Sequence, residues 1–247
     1  DYPSLRLANP MQVQNHASVD LYVDQVLRHA KVILISLHGG IGYWRYGVEQ
    51  LMQLAERGVQ VILVPGCDRP DPELAERCTV PAEQADRLWQ YLRQGGMGNA
   101  RNLFGYLGNT WFGRTEPCET PQPLPRTVIY HPAQPTADLA HWQAQWQAHW
   151  PVVPLLFYRS HLQAANTGFV DTFCARLQAA GLNPLPIAVA SLKEEGCLEQ
   201  VQAWMDEVDA AIILNTTGFA QSSPETPHLR PFRRDIPVIQ AICAQDN

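Results

Sequence analysis

Short apolar runs alternate along this chain with stretches that place an apolar residue at every third or fourth position. The runs occupy 32–37, 59–64, 152–157, 185–190, 210–214 and 237–244. Runs of this length predict strands buried on both faces, as in a parallel sheet covered by helices. The intervening stretches follow helical spacing. Val19, Tyr22, Val23, Val26 and Leu27 form one apolar face, with Ser18 as the expected N-cap. Val48, Leu51, Met52, Leu54 and Ala55 form another over 46–57, with Gly58 as its stop. Further helices are expected over 82–94, 97–107, 167–180 and 198–208, and a strand opens at 127–130. Trp142, Trp146 and Trp150 recur every fourth residue, which predicts a short amphipathic helix that also carries His141 and His149. Strand, helix and strand in this rhythm predict right-handed βαβ units.

The expected fold class is therefore α/β, with two doubly wound, Rossmann- or flavodoxin-like lobes and mainly parallel sheets. The first lobe takes residues 1–114 and the second 127–247, truncated at the C-terminus. Pro117, Pro121, Pro123 and Pro125 crowd 115–126 and forbid regular structure there, so this stretch reads as the linker. The stretch 70–85 is turn-rich. The stretch 218–234, rich in Ser, Pro and Thr, reads as a lid, an insertion or a mobile loop. The chain opens Asp1-Tyr2-Pro3 and stops just past an apolar run, so a fragment of a longer protein is expected.

Composition narrows the class. An apolar content of 46% with 17% charged residues excludes a disordered chain. A net charge of −6 speaks against a nucleic-acid face. Cys67, Cys78, Cys118, Cys174, Cys197 and Cys243 contain no C-x-x-C pair, so zinc-ribbon and thioredoxin readings fail and reduced thiols are expected. No apolar run approaches the ~20 residues of a membrane span, and no signal peptide is visible. The expected compartment is the cytoplasm.

Ligands of open α/β sheets sit just past the carboxyl ends of the strands. Four such ends carry polar or glycine-rich loops: His38-Gly39-Gly40, then 66–69, then Tyr158-Arg159-Ser160-His161, and Asn215-Thr216-Thr217. The glycine run lacks both G-x-G-x-x-G and the Lys-Ser/Thr of a P-loop; a tight turn, a nucleotide contact and contact with another ligand stay open. Ser160 beside His161 is not a triad, and no G-x-S-x-G elbow exists. Arg159 either grips a ligand carboxylate or pairs with a local acid. Asn215 and Thr216 either face a ligand or cap the next segment. Asp68, Asp71 and Glu73 read as a solvated turn rather than a cation site. His141 and His149 lie two helical turns apart and cannot share a metal, and the Trp stripe reads as packing. No catalytic residue and no metal site is assigned.

Several blocks together resemble a known family. They are Pro3 to Asn9, Gly39-Gly40 with Tyr43-Trp44, Leu63-Val64-Pro65-Gly66 with Asp68 to Leu74, Thr79-Val80-Pro81, Asn102-Leu103, Phe157-Tyr158-Arg159-Ser160-His161, and Gly181-Leu182-Asn183-Pro184-Leu185-Pro186. In this order they are similar to the N-terminal part of the large subunits of aerobic cobaltochelatases, the CobN/magnesium chelatase large-subunit family. The resemblance implies a corrin substrate, hydrogenobyrinic acid a,c-diamide, and insertion of Co²⁺ into it with formation of nitrogen–metal bonds in cobalamin biosynthesis. It implies that Co²⁺ is a substrate, and that ATP is hydrolysed by an AAA+ partner subunit working with an integrin-like third subunit. No cofactor is then bound by this segment, and the rest of its own chain is a further partner. The candidate substrate contacts are Tyr158, Arg159, Ser160, His161, His38, Gly39, Gly40, Asn215 and Thr216. His38 and His161 are the strand-end histidines able to act as bases. Two alternatives within the family are the magnesium chelatase large subunit, acting on protoporphyrin, and a scaffold region that docks the ATPase subunits. Outside it stands an independent nucleotide- or sugar-binding α/β protein.

Overall fold

A computed structural model describes residues 3–218, 232 and 235–243. The chain divides into two compact units, 1–123 and 124–247. The expected loop of 218–234 lies almost wholly outside the described residues.

The first unit runs α1 (His16–Gln25), β1 (Val32–Leu37), α2 (Arg45–Glu56), β2 (Gln60–Pro65), α3 (Pro72–Ala75), α4 (Ala82–Gln94) and α5 (Gly96–Phe112). β1 and β2 pair in parallel from Val32↔Gln60 to Leu37↔Pro65. Side chains alternate across a strand, and that alternation sorts the core. Ile33, Leu37, Val61 and Leu63 pack with Val19, Val48, Leu51 and Leu54 on one face. Ile62 and Val64 pack with Leu88, Trp89, Tyr91 and Leu103 on the other, joined by Val32 and Leu34. Helices thus cover both faces, although the sheet has only two strands among the described residues, smaller than a doubly wound lobe leads one to expect. α1 is capped by Asn15, whose side chain accepts the Ser18 N–H at 2.8 Å, rather than by Ser18. Gly58 ends α2 at φ +93°, a backbone state that costs glycine nothing.

The second unit runs β3 (Thr127–His131), β4 (Gln134–Ala137), α6 (Leu139–Gln143), β5 (Val152–Tyr158), α7 (Ser160–Gln163), α8 (Gly168–Ala179), β6 (Asn183–Val189), α9 (Glu195–Glu207), β7 (Ile213–Asn215) and β8 (Val238–Gln240). Its sheet order is β4-β3-β6-β5-β7-β8. β6, β5, β7 and β8 are mutually parallel, and β3 and β4 add an antiparallel edge. All seven residues of β6 are buried, as a central strand covered on both faces requires. Pro154, Pro184 and Pro186 sit inside β5 and β6, where a missing N–H ordinarily breaks a ladder. Asn183 N–H donates to Pro151 O on the β5 side, so the neighbouring Pro184 and Pro186 nitrogens face β3. The β3 pairing reaches only to Ile187, so Pro184 and Pro186 forgo no bond to β3.

The tryptophans depart from the helix predicted for them. Only Trp142 lies in α6; its buried indole N–H donates to Tyr130 O at 2.7 Å. Trp146 lies past the helix and donates to Pro184 O at 3.1 Å. Trp150 rests against Gly181, and His149 takes φ +71°, outside any helix. The reason is Asn183: its side chain accepts from Gln147 N–H and donates to Gln147 O and Trp150 O, each at 3.0 Å. The segment is held as an irregular loop instead of a further helical turn. No helix among the described residues is long and apolar enough to cross a membrane.

Candidate functional site

The parallel pairing of each sheet gathers strand ends at one rim, and the candidate residues fall into two groups, one in each unit. In the first unit β1 ends at Leu37 opposite Pro65, so His38-Gly39-Gly40 and 66–69 emerge side by side. The Gly66 N–H donates to Leu37 O at 2.9 Å, and His38 Nδ1 lies 3.2 Å from Gly66 O. A Cβ on Gly66 meets the His38 nitrogen at 2.9 Å, so only glycine permits this approach. Gly39 and Gly40 take φ +94° and +72°, and a Cβ added to Gly39 would meet the Tyr43 side chain at 3.7 Å. Asp71 caps α3 through the Glu73 and Leu74 N–H groups, and Asp68 pairs with Arg93 at 3.2 Å. These carboxylates serve the turn, as the sequence suggests. His38 and Gly39 are exposed and Gly40 is half-buried. Tyr43 is also exposed, an aromatic ring at the same rim that residue spacing alone did not single out.

In the second unit β5 lies between β6 and β7. Leu156 pairs with Asn215, which sets Tyr158–His161 next to Asn215–Thr217. Gly218 N–H donates to the Tyr158 hydroxyl at 3.2 Å. Thr216 donates to Leu156 O through both its N–H and its hydroxyl, each at 2.9 Å. Asn215 donates to Gln240 Oε1 at 2.8 Å and accepts from the Thr217 hydroxyl at 2.8 Å, while Gln240 donates to Thr217 O at 3.0 Å. Asn215 and Gln240 are direct partners of the β7–β8 register. Asn215 is the last residue of β7, not part of a loop, and its amide and the Thr216 hydroxyl tie the rim together. Gln240 gave no sequence signal, because a pairing across 25 residues follows from topology alone.

Arg159 is turned inward and buried. Its N–H donates to Val189 O at 2.8 Å and its guanidinium to Leu124 O at 2.8 Å. Glu194 stands beside it, paired in two-pronged fashion with Arg126. The Arg126 hydrogen bond, followed by the charges of Arg126 and Arg159, holds the Glu194 carboxyl below the usual carboxylate range. Of the two readings of Arg159, the local partners are the ones occupied in this structure. Ser160 is exposed and His161 half-buried on α7, where the imidazole meets the Phe169 ring edge-on at 4.7 Å.

Burial lowers the His161 pKa from its ordinary 6.5. The folded chain then binds that proton less tightly than the unfolded chain, so this group erodes stability as pH falls below 6.5. His161→Phe, which keeps an aromatic ring against Phe169, is expected to lose less stability than the parent between about pH 7 and pH 5. Urea midpoints across that range check it, and identical slopes for the two proteins would sink it. Deeper in the unit, Tyr130 donates to Asp171 at 2.7 Å and lies 2.9 Å from the Thr167 hydroxyl. Burial pushes the Tyr130 phenol and the Cys174 thiol up to about 12 each, so neither ionises near neutrality. No group of three or more His, Cys, Asp or Glu among the described residues is placed to hold a metal ion.

Fold and rims together define an α/β protein that presents polar loops beyond the carboxyl ends of mainly parallel strands, the position in which such sheets bind ligands. The family profile described as CobN/Magnesium Chelatase matches residues 89–247, and the chain belongs to that family. It is 67% identical over all 247 residues to a protein of Pseudomonas aeruginosa named aerobic cobaltochelatase subunit CobN. It is 34% identical over 230 residues to a protein of the same name from Sinorhizobium sp.. These alignments cover 20% and 18% of the two relatives, so the chain spans about a fifth of their length. Among solved structures, the catalytic subunit of cobaltochelatase from Mycobacterium tuberculosis superposes with a TM-score of 0.73 at 25% identity, over 96% of this chain and 19% of that one.

Proposed function

We propose that this chain is the N-terminal part of a cobaltochelatase large subunit and that it contributes corrin-binding surface to insertion of Co²⁺ into hydrogenobyrinic acid a,c-diamide. The observation that carries this reading is the 67% identity, over the whole of this chain, to a relative named an aerobic cobaltochelatase subunit. The rim of the second unit supports it chemically. A corrin presents carboxylates and amides around a flat apolar body, and Tyr158, Ser160 and His161 stand at one strand end as hydrogen-bonding groups. Insertion of the metal removes protons from ring nitrogens, and an imidazole kept neutral by burial is able to accept one. On this reading ATP hydrolysis belongs to an AAA+ partner acting with an integrin-like subunit, and the assembly works in the cytoplasm. The names of the relatives favour cobalt over magnesium.

The test is a titration of the chain with hydrogenobyrinic acid a,c-diamide, followed by quenching of tryptophan fluorescence, with protoporphyrin IX as comparison. Tyr158→Phe combined with His161→Ala is expected to raise Kd roughly tenfold, as expected for loss of a hydrogen bond to a charged group. Unchanged affinity in that variant removes the rim from substrate binding. A second reading, a scaffold that docks the ATPase subunits, draws on the fact that Arg159, Asn215 and Thr216 already serve the protein's own backbone and side chains. No corrin binding, together with capture of the ATPase subunit by this chain, decides for the scaffold.

A further inference from the structure

The proline-rich segment does not hang between the units as a loose linker. α5 carries Asn99, Asn102 and Asn109, spaced by three and seven residues and therefore on one side of the helix. The segment lies along that side. Asn109 donates to Glu116 O at 2.8 Å and accepts from Glu116 N–H at 2.7 Å. Asn102 accepts from Glu119 N–H at 3.3 Å. Asn99 donates to Gln122 O and accepts from Gln122 N–H, both at 2.9 Å. A carboxamide offers a donor and an acceptor side by side, as a peptide group does. Asn99 and Asn109 therefore each close a two-bond ring with the segment, in the manner of a strand pair. Gly105 gives the segment room, since a Cβ there meets Pro117 O at 3.2 Å. Tyr91 and Arg87 close over Glu119 O. Prolines suit this arrangement because side chains of α5, not neighbouring strands, supply the partners.

Past Pro123 the segment finds anchors in the second unit. Leu124 O accepts from Arg159, and Arg126 O accepts from the Ala190 N–H at 2.8 Å. Leu124 also packs against the core of the second unit. We infer that the covalent joint between the two units is a one-residue pivot at Pro123, pinned by Asn99 on one side and Arg159 on the other. Proline fixes its own φ, and Gln122 and Leu124 each precede a proline and are confined to extended conformations. Reorientation of one unit against the other is thereby restricted chiefly to ψ of Pro123 and φ of Leu124. Arg159 is in this sense a positioning residue that links the end of β5 to the pivot.

The experiment uses the whole chain in two measurements. Digestion with a Glu-specific protease probes the bond between Glu119 and Thr120, since Pro117 shields the one after Glu116. Nitroxide labels at Glu56→Cys and Gln178→Cys, in a background lacking the exposed Cys67 and Cys243, give the distance distribution between units by pulsed EPR. The parent is expected to be cut about tenfold more slowly than Asn99→Ala/Asn109→Ala, with circular dichroism confirming that the variant folds. Pro123→Gly/Pro125→Gly leaves both pins in place, so protease resistance stays and the distance distribution widens about twofold. A parent cut as fast as the asparagine variant overturns the inference. So does a distance distribution that ignores the loss of both prolines, and this second arm stands even if the asparagine variant fails to fold.

Discussion

Asn183→Ala is expected to cost the second unit about 3 kcal/mol, from the loss of three hydrogen bonds at a buried site. Asn183 is 4% exposed, and its amide ties the loop between α6 and β5 to the start of β6 through three bonds. Without it the Gln147 N–H and two carbonyls lose the partner that the buried Asn183 amide supplies. The loop also delivers the Trp146 indole to Pro184 O, so loosening spreads into the first residues of β6. Urea unfolding followed by tryptophan fluorescence measures the effect. A loss below about 1 kcal/mol, the level of a single solvent-compensated hydrogen bond, would contradict this account.

A comparable loss, about 3 kcal/mol, is expected in the first unit for Gly47→Ala, although the added methyl is small. The new Cβ falls 2.2 Å from Cε2 of Trp44, a ring that is 7% exposed and cannot swing aside within the core. Expelling it also removes the 2.6 Å bond from the indole N–H to Val13 O, which holds the N-terminal segment. Because Trp44 closes the turn that begins at Gly39-Gly40, the variant is expected to disturb the rim as well as the core. Urea midpoints and the near-ultraviolet dichroism of the indoles report both effects. A midpoint close to that of the parent would show that Trp44 has room the structure does not provide.

Elements whose register is local were legible in the sequence. The strands at 32–37 and 152–157 and the helices at 46–57 and 82–94 follow from apolar spacing and from glycine stops such as Gly58. The rims were legible too, because parallel strands deliver their trailing residues to one edge. What escaped prediction depends on partners far away in the chain. The fourfold spacing of Trp142, Trp146 and Trp150 imitates a helix, yet Asn183, more than thirty residues on, overrides it. The short α7 leaves no apolar period to detect. Asn215 read as a loop residue until Gln240 supplied its opposite number in β8. Arg159 read equally well as a ligand grip or as an internal anchor, because its choice rests on where the Leu124 carbonyl and Glu194 come to lie. The proline-rich stretch was recognised as irregular, but its order comes from three asparagines on another element.

The prolines inside β5 and β6 have one more consequence. Bonds between these strands use alternate residues, and in the observed alignment Pro184 and Pro186 fall on the positions that donate nothing to β5. Sliding β6 by a single residue brings both ring nitrogens against β5 carbonyls, forfeits two rungs at roughly 1 kcal/mol each, and turns buried side chains to the opposite face. The rings thus act as a key cut for one alignment: they leave the correct assembly untouched and penalise its nearest competitor while the sheet forms.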